Sequence, residues 1–111
     1  MIEMIVNNYL NHNLSAPSFL ERTDKKIKRF VLIEKTGGSK RNHLKKATLV
    51  FQSYGTSLFK AAELNEELKQ VVEQMIELDQ ISNISLNSDY EFTDTTTKEY
   101  RYQAVFDINY Y

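Results

Sequence analysis

Residues 57–79 read SLFKAAELNEELKQVVEQMIELD. Leu58, Ala61, Ala62, Leu68, Val71, Val72, Met75 and Ile76 recur at the helical period, with Leu64 and Leu78 flanking, and Glu63, Glu66, Glu67, Glu73 and Glu77 supply a polar face. Gly55 stops what precedes, and Thr56 or Ser57 is placed to cap the first turn. At about 1.5 Å per residue such a helix spans roughly 30–35 Å, enough to cross a sheet. The rest of the chain falls into strand-like segments on either side of it.

Upstream, Ile27 to Thr36 reads as a first strand. Phe30-Val31-Leu32-Ile33 is apolar at every position, so both faces need a cover: core on one, a helix or a neighbouring subunit on the other. Gly37-Gly38 is expected to break this strand, and Ser39 to His43 to form a basic loop. Lys46 to Tyr54 is the second strand, with Ala47, Leu49 and Phe51 alternating against Thr48, Val50 and Gln52; the pair forms an antiparallel hairpin. Downstream, Ile81 to Phe92 is the third strand, with Ile84, Leu86, Tyr90 and Phe92 on one face and Ser85, Asn87, Asp89 and Glu91 on the other. Thr93 to Lys98 is a polar loop. Glu99 to Tyr110 alternates most cleanly: Tyr100, Tyr102, Ala104, Phe106, Ile108 and Tyr110 oppose Arg101, Gln103, Asp107 and Asn109.

At the start, Ile2, Ile5, Val6, Tyr9 and Leu10 make one apolar stripe, which predicts a short helix over 2–13, with Asn7, Asn8 and Asn11 on its other face. A helix this short is marginal alone and must dock. Residues 15–26 read as a linker in which Ala16 is pushed extended by Pro17, Phe19 and Leu20 anchor to the core, and Asp24-Lys25-Lys26 turns. The expected order is α-β-β-α-β-β. It gives a single domain, 1–111, with its core in 27–111. The predicted class is α+β in two layers, a four-stranded, mainly antiparallel sheet packed on one long helix.

Composition narrows the function classes. With 41% hydrophobic residues and 12% aromatics, the 111 residues are too apolar for disorder and large enough for one modest core. There is no cysteine, hence neither a disulfide framework nor thiol chemistry. No apolar run approaches a membrane span, and Met1-Ile2-Glu3-Met4 lacks the basic start of a signal peptide. These features predict a protein used in a reducing cytoplasm or in something assembled there.

Charge is unevenly distributed. Ten of the 14 basic residues lie between Arg22 and Lys46, where only Asp24 and Glu34 oppose them, a net of +8. Residues 1–21 carry −2 and residues 47–111 carry −7, so the chain as a whole is −1. If folding keeps these regions on opposite sides, identical copies attract head to tail and build rings or filaments. The rival is a nucleic-acid patch made by Lys40, Arg41, Lys45 and Lys46 with Lys25, Lys26, Lys28 and Arg29. A solvated hairpin is the bland alternative. Self-pairing ranks first, because the complementary acids are in the same chain.

Catalytic signatures are not found. His12 and His43 have no second ligand at zinc spacing; His12 reads as solvent-facing and His43 as a partner contact. Gly37-Gly38-Ser39-Lys40 lacks the spacing of a phosphate loop and opens no helix, so its glycines are expected to allow a turn with positive φ. Asp89, Glu91 and Asp94 have no accompanying nucleophile and read as solvated. The aromatic row Tyr100, Tyr102, Phe106 and Tyr110 has too few basic neighbours for a base-stacking platform and reads as core. No enzyme, cofactor or metal site is expected. The predicted subunit or tube interface comprises Phe30, Leu32, Lys40, Arg41, His43, Lys45, Lys46, Glu66, Glu73 and Glu77. The loop Asp94, Thr95, Thr96, Thr97 and Lys98 is expected to order on docking.

These residues together resemble a known family. A short helix is followed by Ala16-Pro17 and a strand ending Ile33-Glu34-Lys35-Thr36-Gly37-Gly38, then by Asn42, Ala47 and Leu49. Ser53-Tyr54-Gly55-Thr56-Ser57 enters a helix with Ala61-Ala62 and Leu64, and the chain closes with Asp94 to Lys98 and Tyr100-Arg101-Tyr102-Gln103-Ala104-Val105-Phe106. In this the chain resembles the tail terminator, or tail completion, proteins of long-tailed bacteriophages and prophages of low-GC Gram-positive bacteria. The resemblance implies an α+β fold and a structural role in the virion. The copies would form a ring, usually of six, at the head-proximal end of the tail tube, where it stops tube polymerisation. Implied partners are further copies of itself, the tail tube protein and the head-tail connector or head-closure protein. DNA would pass through the bore without specific binding, and no membrane is involved. Two alternatives stay open: a head-closure or neck connector protein, and a small nucleic-acid-binding protein using the basic hairpin.

Overall fold

The computed structural model describes residues 1–22 and 26–111. The elements run α1 (Ile2–Asn13), β1 (Ser18–Phe19), β2 (Phe30–Arg41), β3 (Leu44–Gly55), α2 (Leu58–Gln74), β4 (Ile81–Glu91) and β5 (Tyr100–Tyr110), with a 3-10 turn at Met75–Glu77 ending α2. The class is α+β, and both helices lie on one face of the sheet. That sheet has five strands rather than the four expected, in the order β1-β2-β3-β5-β4, and it is mixed because β1 runs parallel to β2.

The long helix forms where its period requires. Ser57 caps it, its hydroxyl oxygen accepting the Lys60 N–H at 3.1 Å. Ala61, Leu64, Leu68, Val71 and Val72 are buried against the central strands β3 and β5. The core joins them to Ile2, Val6 and Leu10 of α1 and to Val31, Ile33, Leu49, Phe51, Phe106 and Ile108 of the sheet. Phe51 and Phe106 meet edge to face at 5.8 Å. Gly55 allows the close passage from β3 into α2: a Cβ there would stand 2.5 Å from the Ala61 nitrogen.

Several sequence expectations are corrected. The segment expected to be a linker carries β1, held by asparagines on the face of α1 opposite its apolar stripe. The Asn11 side chain donates to the Ser18 carbonyl at 3.2 Å and accepts its N–H at 2.9 Å, and the Ser18 hydroxyl donates to Asn7 Oδ1 at 2.7 Å. A side-chain amide thus supplies the backbone partners that fix a two-residue strand. The turn assigned to Asp24-Lys25-Lys26 falls partly outside the described residues.

The glycines do not break β2. Gly37 and Gly38 continue the strand past a bulge after Lys35, and neither has positive φ. The reversal falls at Asn42 and His43, whose φ values are 52° and 68°. Two consecutive left-handed residues make the tight turn that suits the twist of a hairpin. The hairpin is therefore longer than predicted, and its distal half is a sheet edge, exposed along β2 from Glu34 to Arg41 while β3 stays paired with β5 down to Lys45.

β4 also carries a bulge, between Leu86 and Ser88. One extra residue swaps the faces beyond it. Asp89 therefore pairs with Ala104 on the helix side, whereas Tyr90 pairs with Gln103 on the helix-free side. The single alternation expected for the third strand holds only up to Leu86.

Candidate subunit interface

The basic arm is built from the distal halves of β2 and β3. Gly38 pairs with Ala47 and Lys40 with Lys45, which places Lys40 and Lys45 on the helix side; Arg41 pairs with Leu44 and Ser39 with Lys46 on the other side. Lys35 also lies on the helix side, its side chain passing Gly38. None of the ion pairs among the described residues involves Lys35, Lys40, Arg41, Lys45 or Lys46. Lys45 sits 5.6 Å over the Tyr110 ring, a cation–π contact. Lys46 lies near Asp107, whose carboxyl is held below the usual range chiefly by hydrogen bonds from Asn87 and Thr48, and further by that lysine. His43 sits at the exposed tip.

Glu66, Glu73 and Asp89 lie at the opposite edge of the sheet. Lys69 of α2 bridges Glu66, at 2.8 Å, and Asp89 of β4. The two carboxylates raise its pKa, with the Asp89 hydrogen bond the larger cause. The Asn65 amide also donates to Asp89, at 2.7 Å. Below them Glu73 borders a groove with Ile76, Asn83, Ile84 and Leu86. Ile76 and Leu86 are 52% and 45% exposed. Glu77 does not join this group: it accepts the Tyr9 hydroxyl at 2.9 Å, which ties the end of α2 to α1.

Two predicted interface residues are placed elsewhere. Phe30 is 2% exposed, covered within its own chain and not by a neighbour. It stacks on Tyr54 at 4.4 Å and meets Phe19 edge-on at 6.0 Å. The Arg22 guanidinium lies 5.3 Å over it. Leu32 is half-buried on the helix-free face beside Gln52. Around Phe30 a second cation joins in: Arg101 donates to the Tyr54 hydroxyl at 3.0 Å and lies 4.6 Å over Phe92. This cluster leaves no local sequence signature, because Arg22 and Arg101 are distant in sequence and come together over Tyr54 only in the fold.

The loop after β4 is closed at its base and braced from within. Asp94 pairs with Glu99 as an isolated bridge, and its Oδ1 accepts the N–H groups of Thr96 at 2.9 Å and Thr97 at 3.3 Å. Those backbone bonds hold the Asp94 carboxyl below its usual pKa. Lys98 closes the loop with φ 57°. Glu99 anchors it to Arg22 at 2.5 Å, a pairing that also depresses the Glu99 pKa. Thr95, Thr96, Thr97 and Lys98 remain exposed. Of the aromatic row, Phe106 is buried, Tyr102 and Tyr110 are half-buried, and Tyr100 reaches solvent.

A comparison with known protein families finds no matching family model, and a comparison with curated proteins finds no match. No helix of the described residues is long and apolar enough to cross a membrane.

Proposed function

We propose that this protein is a structural subunit that assembles head to tail into a closed ring, as the tail terminator of a long-tailed bacteriophage. One observation carries the ring. Lys40, Arg41, Lys45 and Lys46 end the hairpin at one lateral edge of the sheet and enter none of the ion pairs among the described residues, while Glu73 stands at the other edge beside Glu66 and Asp89, which Lys69 bridges. A molecule with two different complementary sides makes a heterologous contact, which closes into a ring when the rotation between copies divides a full turn. The sequence resemblance supplies the location: the head-proximal end of the tail tube, with tube protein on one side and connector or head-closure protein on the other.

The middle of the helix-free face is polar, while Arg41 and Lys46 stand on that same face at the hairpin end. Gln52 donates to Gln103 at 3.0 Å, and Thr48 donates to Asp107 at 2.7 Å.

The test is genetic and visual. Deletion of the gene in the producing phage is expected to give tails of uncontrolled length, and particles labelled for the protein are expected to show it where head meets tail. Normal tails beside leaking heads would instead indicate a head-closure protein. Salt-steep DNA affinity of the isolated protein would indicate the nucleic-acid alternative.

A further inference from the structure

The four long strands alternate in direction across the sheet: β2 is antiparallel to β3, β3 to β5, and β5 to β4. The two outer strands therefore run opposite to each other. A second copy placed beside the first in the same orientation would bring its β2 against the first copy's β4 in an antiparallel sense, the direction the rest of the ladder already follows.

Both outer edges are available for this. β1 covers β2 only at Val31 and Leu32, so the edge from Ile33 to Arg41 has no neighbouring strand, and β4 has none on its outer side. The Val31 N–H points outward, to the Pro17 carbonyl. Alternation turns the N–H groups of Ile33 and Lys35 the same way. On β4 the Phe92 N–H points inward to the Arg101 carbonyl, so those of Asp89 and Glu91 point outward. The levels also match. Through the ladder Lys40 lies level with Ile81, Lys35 with Leu86 and Ile33 with Asp89. The uncovered stretch of β2 thus faces the stretch of β4 from Ile81 to Asp89.

Side chains choose between the possible pairings. Lys35 and Lys40 stand on the helix side of the β2 edge; Ile76, Leu86, Glu73 and Glu66 stand on the helix side of the β4 edge. Two β2 edges would oppose lysine to lysine, which is repulsive; at the β4 edge Lys69 already bridges Glu66 and Asp89, and Glu73, in none of the ion pairs among the described residues, is the carboxylate left to meet a neighbour's lysine. Only β2 against β4 brings unlike charges together. The lysine stems can then cover Ile76 and Leu86 while their ammonium groups reach the glutamates.

From this we infer that the ring closes by β-sheet augmentation, the Ile33–Arg41 edge of one copy adding to the Ile81–Asp89 edge of the next. The occupant of the Ile76–Leu86 groove is the basic arm of a second copy. This deepens the ring proposed above and rests on it.

The experiment is the assembly state of nuclease-treated full-length protein, read by analytical ultracentrifugation and native mass spectrometry over a range of salt. Lys35→Pro removes an outward N–H and leaves the β2–β3 ladder its own bonds. It is expected to give folded monomer, with circular dichroism unchanged. Lys40→Glu and Glu73→Lys are each expected to weaken association about tenfold, and the double variant to recover most of it. A wild-type ring that persists in Lys35→Pro and in both charge reversals would overturn edge pairing and leave the ring standing. A wild-type protein that stays monomeric at every concentration and at low salt would overturn both.

Discussion

The two ends of the β2–β3 hairpin are made by the same two strands and have opposite fates. At the proximal end, Phe30 and Tyr54 are packed between Phe19, Arg22 and Arg101. At the distal end, from Glu34 to Arg41, every β2 residue is exposed. The ladder bonds are alike at both ends, so backbone pairing does not make the difference. Cover does: Phe19, Arg22 and the loop after β4 close over the proximal end, whereas at the distal end the core covers Ala47 and Leu49 of β3 and leaves the β2 residues exposed. The covered end adds to the stability of the chain itself, whereas exposed charges such as those of the distal end contribute little to it.

The largest effect that would sharpen this contrast is at the proximal end. Phe30→Ala removes a buried ring and the partner of the Tyr54 stack, and is expected to cost about 3–5 kcal/mol in chemical denaturation. A loss below about 1 kcal/mol would mean that the aromatic end is as dispensable as the arm.

Next is Gly55, where β3 hands over to α2. Any side chain there meets backbone atoms of Lys60 and Ala61, which cannot swing aside. Gly55→Ala is expected to cost about 1–3 kcal/mol, seen as a lower denaturation midpoint with an unchanged slope.

The Arg22–Glu99 pair should make the proximal end sensitive to acid. Arg22 holds the Glu99 carboxyl below its ordinary value of 4.5. A depressed carboxylate contributes stability above the unfolded-state pKa and loses it as pH falls through the folded-state value. Glu99→Gln should therefore lower Tm at neutral pH, with the gap to wild type closing as pH drops below about 4. A gap independent of pH would show that the pair contributes shape and not charge.

The smallest effect on folding is expected in the arm. Lys40→Ala with Arg41→Ala removes two exposed cations that make no ion pair, and should change unfolding free energy by no more than about 0.5 kcal/mol. The same variant should lose salt-sensitive self-association. Marked destabilisation of the monomer would erase the distinction between the two ends.

Much of the fold could be read directly from residues. The α2 period, with its cap at Ser57, and the alternation of β5 from Tyr100 to Tyr110 reflect one-dimensional patterns that burial against a single core imposes. α1 matched its predicted bounds for the same reason. Glycine misled at Gly37-Gly38 because its freedom permits a turn without requiring one, and Asn42 and His43 took the reversal instead. The face swap in β4 was hidden because a bulge depends on the partner strand, not on the bulged sequence alone. At the candidate interface, the basic residues were identifiable by type and spacing, but Phe30 was misassigned because periodicity shows that a face must be covered and not what covers it.

From the chain alone came helix and strand periods, the α+β class and the separation of positive from negative charge, since each is a property of neighbouring residues. Folding decided which strand edges stay unpaired, that they run antiparallel, and that the basic and acidic groups lie at opposite sides of one sheet. Those depend on contacts between residues far apart in sequence, which no local pattern encodes.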